Sequence, residues 1–592
     1  MRLLFASGIK RRRLFRISLI CSNFVTLKVD AQHPAIRFVN VMKRFSLFFI
    51  ISAFAVFCFS QPKHEVRAVW LTTIGGIDWP HSYARSASSA ERQKGELRAI
   101  LDRLQRANIN TVLLQTRVRG TMIYPSDYEP WDGCLSGVPG LSPGYDALQY
   151  AVEECHRRGM ELHAWVVTIP VGRWNGLGCR RLRKRFPGLV RRIGDEGFMN
   201  PESSRTAEYL ADICAEITRR YDIDGIHLDY IRYPETWRMN VSREEGRRHI
   251  TDIVRAVSSR VKALKPWVKM SCSPIGKYSD LSRYDSNGWN AYTRVCQDAQ
   301  GWLREGLMDE LFPMMYFRGD NFFPFAVDWA ENSNGRIVVP GLGIYFMSPS
   351  ERDWSLSDIT RELEVVRSLD MGHAYFRSKF FTDNVKGIYD YASDVFCPYP
   401  ALVPPMTWES SSLPSAPYGL AVKADTVNNV TMLSWNHSVK DSAAVLFNVY
   451  SSRSCPVDVD DARNLIVVNQ RGRSVIVPSD PSRHYAVTAI DRYGNESAAL
   501  QEHYASGADS EQGLDVDLLE CDGSSLTLPS KGGILDASFL TIEDMTGRIV
   551  ATRPYVSRYA DVSALDEGVY VLRSLGRKGV NHRLGTFIIK RH

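Results

Sequence analysis

The sequence predicts an α/β fold, a (β/α)8 TIM-type barrel with two C-terminal all-β sandwich-like domains. Three observations predict it. Short β-rich apolar runs alternate with amphipathic stretches eight times between residues 65 and 392. Eight such units in about 330 residues suit a barrel with inserted loops. From residue 395 the texture changes to Pro and Ser, then to short strands with turn signals between them. At 592 residues the chain also exceeds what one ordinary core accommodates.

The first element is residues 1–60, a leader and signal peptide. From Met42 the chain reads MKRFSLFFIISAFAVFCFSQ. Lys43 and Arg44 precede an apolar run from Phe45 to Phe59, and Ser60-Gln61 offers a cleavage point, the anatomy of a secretory signal. The run is short for a membrane span and no stop-transfer flank follows. Met42 is the expected initiator, with residues 1–41 and their basic run Lys10 to Arg13 lying ahead of it.

Residues 61–395 carry the barrel. Expected strands are Arg67–Thr73, Thr111–Val118, Glu161–Thr168, Gly225–Ile231, Val268–Pro274, Glu310–Phe317, Ile337–Tyr345 and Gly372–Phe381. Expected helices are Glu91–Ala107, Tyr145–Arg158, Ser203–Tyr221, Arg243–Leu264 and Ser357–Leu369; in the first, Leu97, Ile100, Leu101 and Leu104 keep a helical period. A doubly wound open sheet is the competing fold, and the lack of a GxGxxG turn after the first strand counts against it.

Residues 396–416, CPYPALVPPMTWESSSLPSAP, form the expected linker. Residues 417–506 hold only short strands, with Trp435 early, Tyr450 next, and Tyr485 placed as a tyrosine corner would be. This segment resembles a fibronectin type III domain. Residues 515–592 form a last β-unit containing ASFLTIEDMTGRIV, ADVSALDEGVYVLRS and GTFIIKRH. Through Asp544, Gly547, Gly568 and Tyr570 it resembles the C-terminal sorting domain of the type IX secretion system, which implies secretion machinery as a partner.

Composition narrows the function. A formal charge of +7 is spread over interleaved cations and anions, so no nucleic-acid partner is implied. The densest basic run, RRLRKRFPGLVRR from Arg180 to Arg192, reads as a solvated face or as a contact to an anionic polymer. Of 11 Cys, Cys21 and Cys58 fall in the leader. The rest form no CxxC pair and no zinc spacing, so buried thiols are expected and no metal or cofactor. There is no GxSxG motif.

In such a barrel, chemistry sits at the C-terminal ends of the strands. YDIDGIHLDYIRYP, residues 221–234, is the strongest candidate. Asp224-Gly225 enters the strand, and Asp229 falls near its end. Alternation puts His227 on the same face, one layer below. A carboxyl group there suits acid, base or nucleophilic work on a glycosidic bond. Asp222 and Asp224 lie before the strand, on the bottom face, and look structural.

Residues 65 to about 392 resemble the glycosyl-hydrolase-like family 10 of bacterial proteins. The resemblance rests on EVRAVWLTT, NINTVLLQTRVRGTMIYPSDYEPW, GYDALQYAVEECHRRGMELHAWV, FMNPESSRTAEYLADICAEITRRYDIDGIHLDYIRYP and FPMMYF, in that order. It implies a barrel, a polysaccharide substrate and hydrolase chemistry; some members are associated with bacterial cell-wall glycan. The chain departs from the family at Tyr230, where many members have a second Asp, at VTIPVGRW, and at Met314 in place of a Gln. DGIHLDYI also echoes a chitinase strand, but Ile231 stands where that acid would be.

The expected catalytic pair is Asp229 with Asp320, the second carboxylate chosen by position with Glu235 and Asp280 behind it. Expected substrate contacts are Gln115, Arg117, His163, Trp165, Tyr233 and Tyr316, with Trp131 a looser platform. Arg117 could equally brace the mouth, and His163 could be a satisfied core histidine. An N-acetyl group on the substrate could replace the second carboxylate. A non-catalytic glycan-binding protein is the alternative, favoured by Tyr230.

Overall fold

In a computed structural model of the chain, the described residues are 61–438, 445–501, 519, 521, 525–528, 537–544, 549–554, 559–576 and 581–590. The signal peptide, the Met42 start, Cys21, Cys58 and the Gly547 turn lie outside them.

Eight parallel strands alternate with helices. They run β1 (Arg67–Leu71), α1 (Ala87–Arg106), β2 (Thr111–Arg117), α2 (Ala147–Arg157), β3 (Glu161–Val167), α3 (Ser204–Arg220), β4 (Gly225–Asp229) and α4 (Arg243–Leu264). The second half is β5 (Lys269–Cys272), α5 (Ala299–Arg304), β6 (Glu310–Leu311), α6 (Phe323–Glu331), β7 (Ile337–Val338 and Gly341–Leu342), α7 (Leu356–Ser368) and β8 (His373–Tyr375). The sheet closes because Ile337–Val338 pairs with β6 while Gly341–Leu342 pairs with β8. Every neighbouring pair is parallel, as crossover helices demand.

The helices begin where local chemistry satisfies their first amides. Ser86 and Ser355 form capping boxes on α1 and α7. Asp146 accepts from the Gln149 amide to cap α2, and Ser242 caps α4 ahead of Glu244 and Glu245. The strands of the second half are shorter than expected, most of all β6. Pro313 and Pro340 have no N–H to give a ladder, so β6 stops at Leu311 and β7 is split. The expected eighth strand ends at Tyr375, and the chain turns into the short helix Ser378–Thr382.

Trp70, Leu113, Trp165, Phe312, Val339 and Ala374 fill the interior. One end is shut. Val403 and Trp408, from the stretch expected to be a linker, pack onto that interior, and Trp408 donates to Asp309 at 2.8 Å. Leu402 and Met406 of the same stretch are buried. The open end carries an insertion after β3, in which Pro170–Arg173, Val190–Ile193 and Glu196–Met199 form an antiparallel sheet beside the helix Leu177–Arg185.

The next unit is a seven-stranded sandwich. One sheet holds Tyr418–Asp425, Val430–Asn436 and Ser474–Pro478; the other holds Leu465–Gln470, Leu446–Ser452, His484–Ile490 and Leu500–Gln501. Trp435, Phe447 and Tyr485 share its core. The last unit pairs a four-stranded sheet with a two-stranded one around Leu540, Ile542, Leu572 and Phe587. Among the described residues, six cysteines of the barrel and Cys397 just after it are buried thiols, Cys455 of the sandwich is exposed, and Cys521 of the last unit is half-buried.

Candidate active site

Strand register builds the site. Trp165 lies opposite His227 and Val167 opposite Asp229, while β5 sets Ser271 beside His227. Side chains at paired positions of a parallel sheet share a face, so one inward column rises from Gly225 through His227 to Asp229. Gly225 starts that column because a Cβ there would meet the His163 ring at 2.5 Å.

Asp229 ends β4 and is only 7% exposed. Its Oδ2 accepts from the Trp165 indole at 3.1 Å, and its Oδ1 accepts from the Ser273 hydroxyl at 2.9 Å and the Tyr230 amide at 2.8 Å. Burial raises its pKa, against the opposing pull of Ser273, the Tyr230 amide, Arg232 and Trp165. The acid form therefore persists to higher pH than for an ordinary aspartic acid. His227 below it meets the Trp70 indole at 3.4 Å and the Ser271 hydroxyl at 3.0 Å. Burial and neighbouring His163 push its pKa well down, so this imidazole is neutral.

The chain after β4 turns sharply: Tyr230 has φ 52°, and its ring is 38% exposed beneath the Arg232 guanidinium at 4.5 Å. Tyr316 stands nearby. Burial, then Tyr345, Asp229 and Tyr230, push its hydroxyl well above the usual range. Its ring packs on Phe376 and Tyr345, with centroids at 5.2 and 5.7 Å. The mouth thus joins one buried carboxyl to an aromatic rim, which can protonate a leaving oxygen and cover a sugar face.

The other expected residues go elsewhere. Arg117 is fully buried; it forks onto Glu129 at 2.6 and 2.9 Å and donates to the carbonyls of Val167 and Thr168. It braces the mouth rather than presenting donors to a sugar. Gln115 uses its side-chain oxygen on the amides of Thr73 and Ile74. His163 is buried against Glu161 at 3.2 Å, at the closed end. Tyr233 is buried against Trp237, its hydroxyl 3.2 Å from His249. Trp165, expected as a stacking platform, is 5% exposed and serves Asp229 as a donor. Trp131 is half-buried against the main core.

Asp320 is exposed on the turn Gly319–Asn321, and Asp229 has no direct contact with it among the described residues. Glu235 is bound to Arg232 at 2.7 Å, and Asp280 accepts from the Ser286 amide at 2.8 Å and from its hydroxyl. Asp222 and Asp224 do lie at the closed end, where they bond Arg492 and His156. Sequence reasoning missed Ser273 and Arg232. Period-two reading of KMSCSP would have flagged Ser273, two positions after Ser271.

The glycosyl hydrolase-like 10 family model matches residues 65–245 and 235–346. Glycosyl hydrolase YngK of Bacillus subtilis is 28% identical over 506 residues, covering 77% of this chain and 97% of that protein. Glycosyl hydrolase DigH of Escherichia coli is 28% identical over 359 residues, covering 53% of this chain and 81% of that protein. The PgaB (BpsB) glycoside hydrolase domain from Bordetella bronchiseptica aligns at 13% identity with a TM-score of 0.40, over 56% of this chain and 98% of that one. The stretch from β1 to β7, with Asp229, Tyr230, Tyr316 and Tyr345, is thus the part of the chain that matches the glycosyl hydrolase-like 10 family.

Proposed function

We propose that the protein is an exported glycoside hydrolase that cleaves within a polysaccharide, bacterial cell-wall glycan being one candidate, with Asp229 as general acid. The observation that carries this reading is the carboxyl of Asp229, buried at the C-terminal end of β4 and held by Trp165 and Ser273. Burial keeps it protonated longer, as a leaving-group acid requires. The family match and the names of both relatives support a carbohydrate substrate. Asp320, on the exposed turn after β6, remains the candidate second carboxylate. Export rests on the basic and apolar stretch from Met42 and on the sorting-like tail.

The test is reducing-end release from a panel of glycans: peptide-free peptidoglycan strands, chitin oligomers, and plant and algal polysaccharides. Asp229→Asn should lower release by about 10²-fold or more with the fold intact, the size expected of a lost acid. A second reading, a glycan-binding protein without catalysis, is favoured by the lack of any carboxylate among the direct partners of Asp229 described here. Tight binding that survives Asp229→Asn, with no release from any glycan, would establish that second reading.

A further inference from the structure

Along one side of the mouth, the loops after β3 and β4 carry more cations than anions. The insertion after β3, residues 170–200, contains eight basic and two acidic residues. Arg180, Arg181 and Lys184 on its helix are exposed. Arg191 lies over Trp237 at 4.8 Å and donates to the Arg238 carbonyl at 3.5 Å, so the insertion leans on the loop after β4. Arg119, exposed on the loop after β2, exerts its charge on the Tyr230 hydroxyl.

Arg232, in the loop after β4, adds a buried cation next to this strip. It is 3% exposed and lies over Tyr230, and its charge acts on Asp229. One of its terminal nitrogens donates to Glu235, yet its buried Nε has no acceptor. Buried donors are almost always matched, so an orphan beside a reactive carboxyl marks a place where a ligand supplies the acceptor. The planar fork of a guanidinium fits a carboxylate better than it fits a neutral hydroxyl.

We propose that this side of the mouth is a subsite for the carboxylates of an acidic glycan. Arg232 and Arg119 read the sugar beside Asp229, and the basic insertion holds further units of the same chain. This rests on the hydrolase reading and names its substrate class. Repeated carboxylates along the polymer would match a cationic strip that begins at the reactive carboxyl and continues onto the insertion.

The test uses the full chain carrying Asp229→Asn, so that ligands are bound and not turned over. Oligogalacturonate and its methyl ester differ only in charge and are titrated calorimetrically at low and at physiological salt, with duplex DNA as a third probe. The acid should bind about tenfold tighter than the ester or better, and lose most of that advantage as salt screens it. Arg232→Gln should remove the advantage, and a combined Arg180→Gln, Arg181→Gln and Lys184→Gln variant should shrink it. If Arg232→Gln fails to fold, the exposed triple variant carries the test. Equal binding of acid and ester, an advantage untouched by the triple variant, duplex DNA bound as tightly as the acid, or no binding of either glycan would each overturn the proposal. Release of reducing ends from a neutral glycan would meanwhile leave the hydrolase reading standing.

Discussion

Three donors converge on Asp229, and each favours its charged form, while burial favours the neutral one. The balance is adjustable at Trp165, whose indole gives one hydrogen bond to the carboxyl. Trp165→Phe keeps an aromatic ring and removes that donor. Losing a bond of about 1 kcal/mol should cost about fivefold in kcat with little change in KM. It should also raise the carboxyl pKa further, since a stabiliser of the carboxylate has gone. For a general acid, the alkaline limb of the kcat/KM profile then moves to higher pH. An acid limb that moves instead would assign Asp229 as nucleophile or base. Asp229 is legible in the sequence because LDY follows an apolar run at the right phase. Arg117 is legible only as a mouth residue. Its destination depends on Glu129, twelve positions on, and on two carbonyls at the end of a neighbouring strand, which no local pattern encodes.

At the scale of elements, β6 holds a carboxyl group deep in the barrel. Glu310 is 1% exposed, both its carboxyl oxygens lack hydrogen-bond partners, and burial pushes its pKa up to about 7. His163 and Lys269 oppose that shift, while Glu161 and Asp309 add to it. The unfolded value is 4.5, so between there and about 7 the folded state keeps a proton that the unfolded chain releases. Its contribution to stability is complete below the lower value and is lost as pH rises through the upper one, by about 3 kcal/mol in all. Glu310→Gln has no proton to lose. Urea melts at pH 5 and pH 8 should show the wild type losing stability relative to the variant between the two; parallel behaviour would remove Glu310 as the cause. The first five strands and the long helices were readable from periodicity and caps. The last three strands were placed correctly but drawn too long, because stretches of two or three paired residues interrupted by Pro313 and Pro340 leave little alternation to mark their ends.

For the molecule as a whole, the sandwich is fastened to the closed end of the barrel. Asp222 is held by Arg492 at 2.7 Å and Arg471 at 3.1 Å, and Lys63 by Glu496 at 2.7 Å. Gly159 sits at this contact with φ 71°, and a Cβ there would lie 2.6 Å from the Val468 carbonyl. Gly159→Ala should therefore cost about 1–3 kcal/mol through backbone strain and also push the two units apart. Differential scanning calorimetry should show barrel and sandwich melting together in the wild type and apart in the variant, with faster proteolysis within residues 396–416. The Pro and Ser content of that stretch predicted a linker. Its apolar members Leu402, Val403, Met406 and Trp408 instead seal the barrel and the joint, a role set by what lies nearby in space.

Because the sandwich grips the base, it leaves the opposite rim uncovered. That asymmetry gives the molecule a handle. Cys455 is an exposed thiol on the sandwich, whereas the barrel's cysteines are buried. Maleimide coupling there, with the half-buried Cys521 of the last unit replaced by Ser, would tether the protein to a support by its blunt end, with the opening left accessible to a polymer too large to diffuse around an enzyme fixed at random.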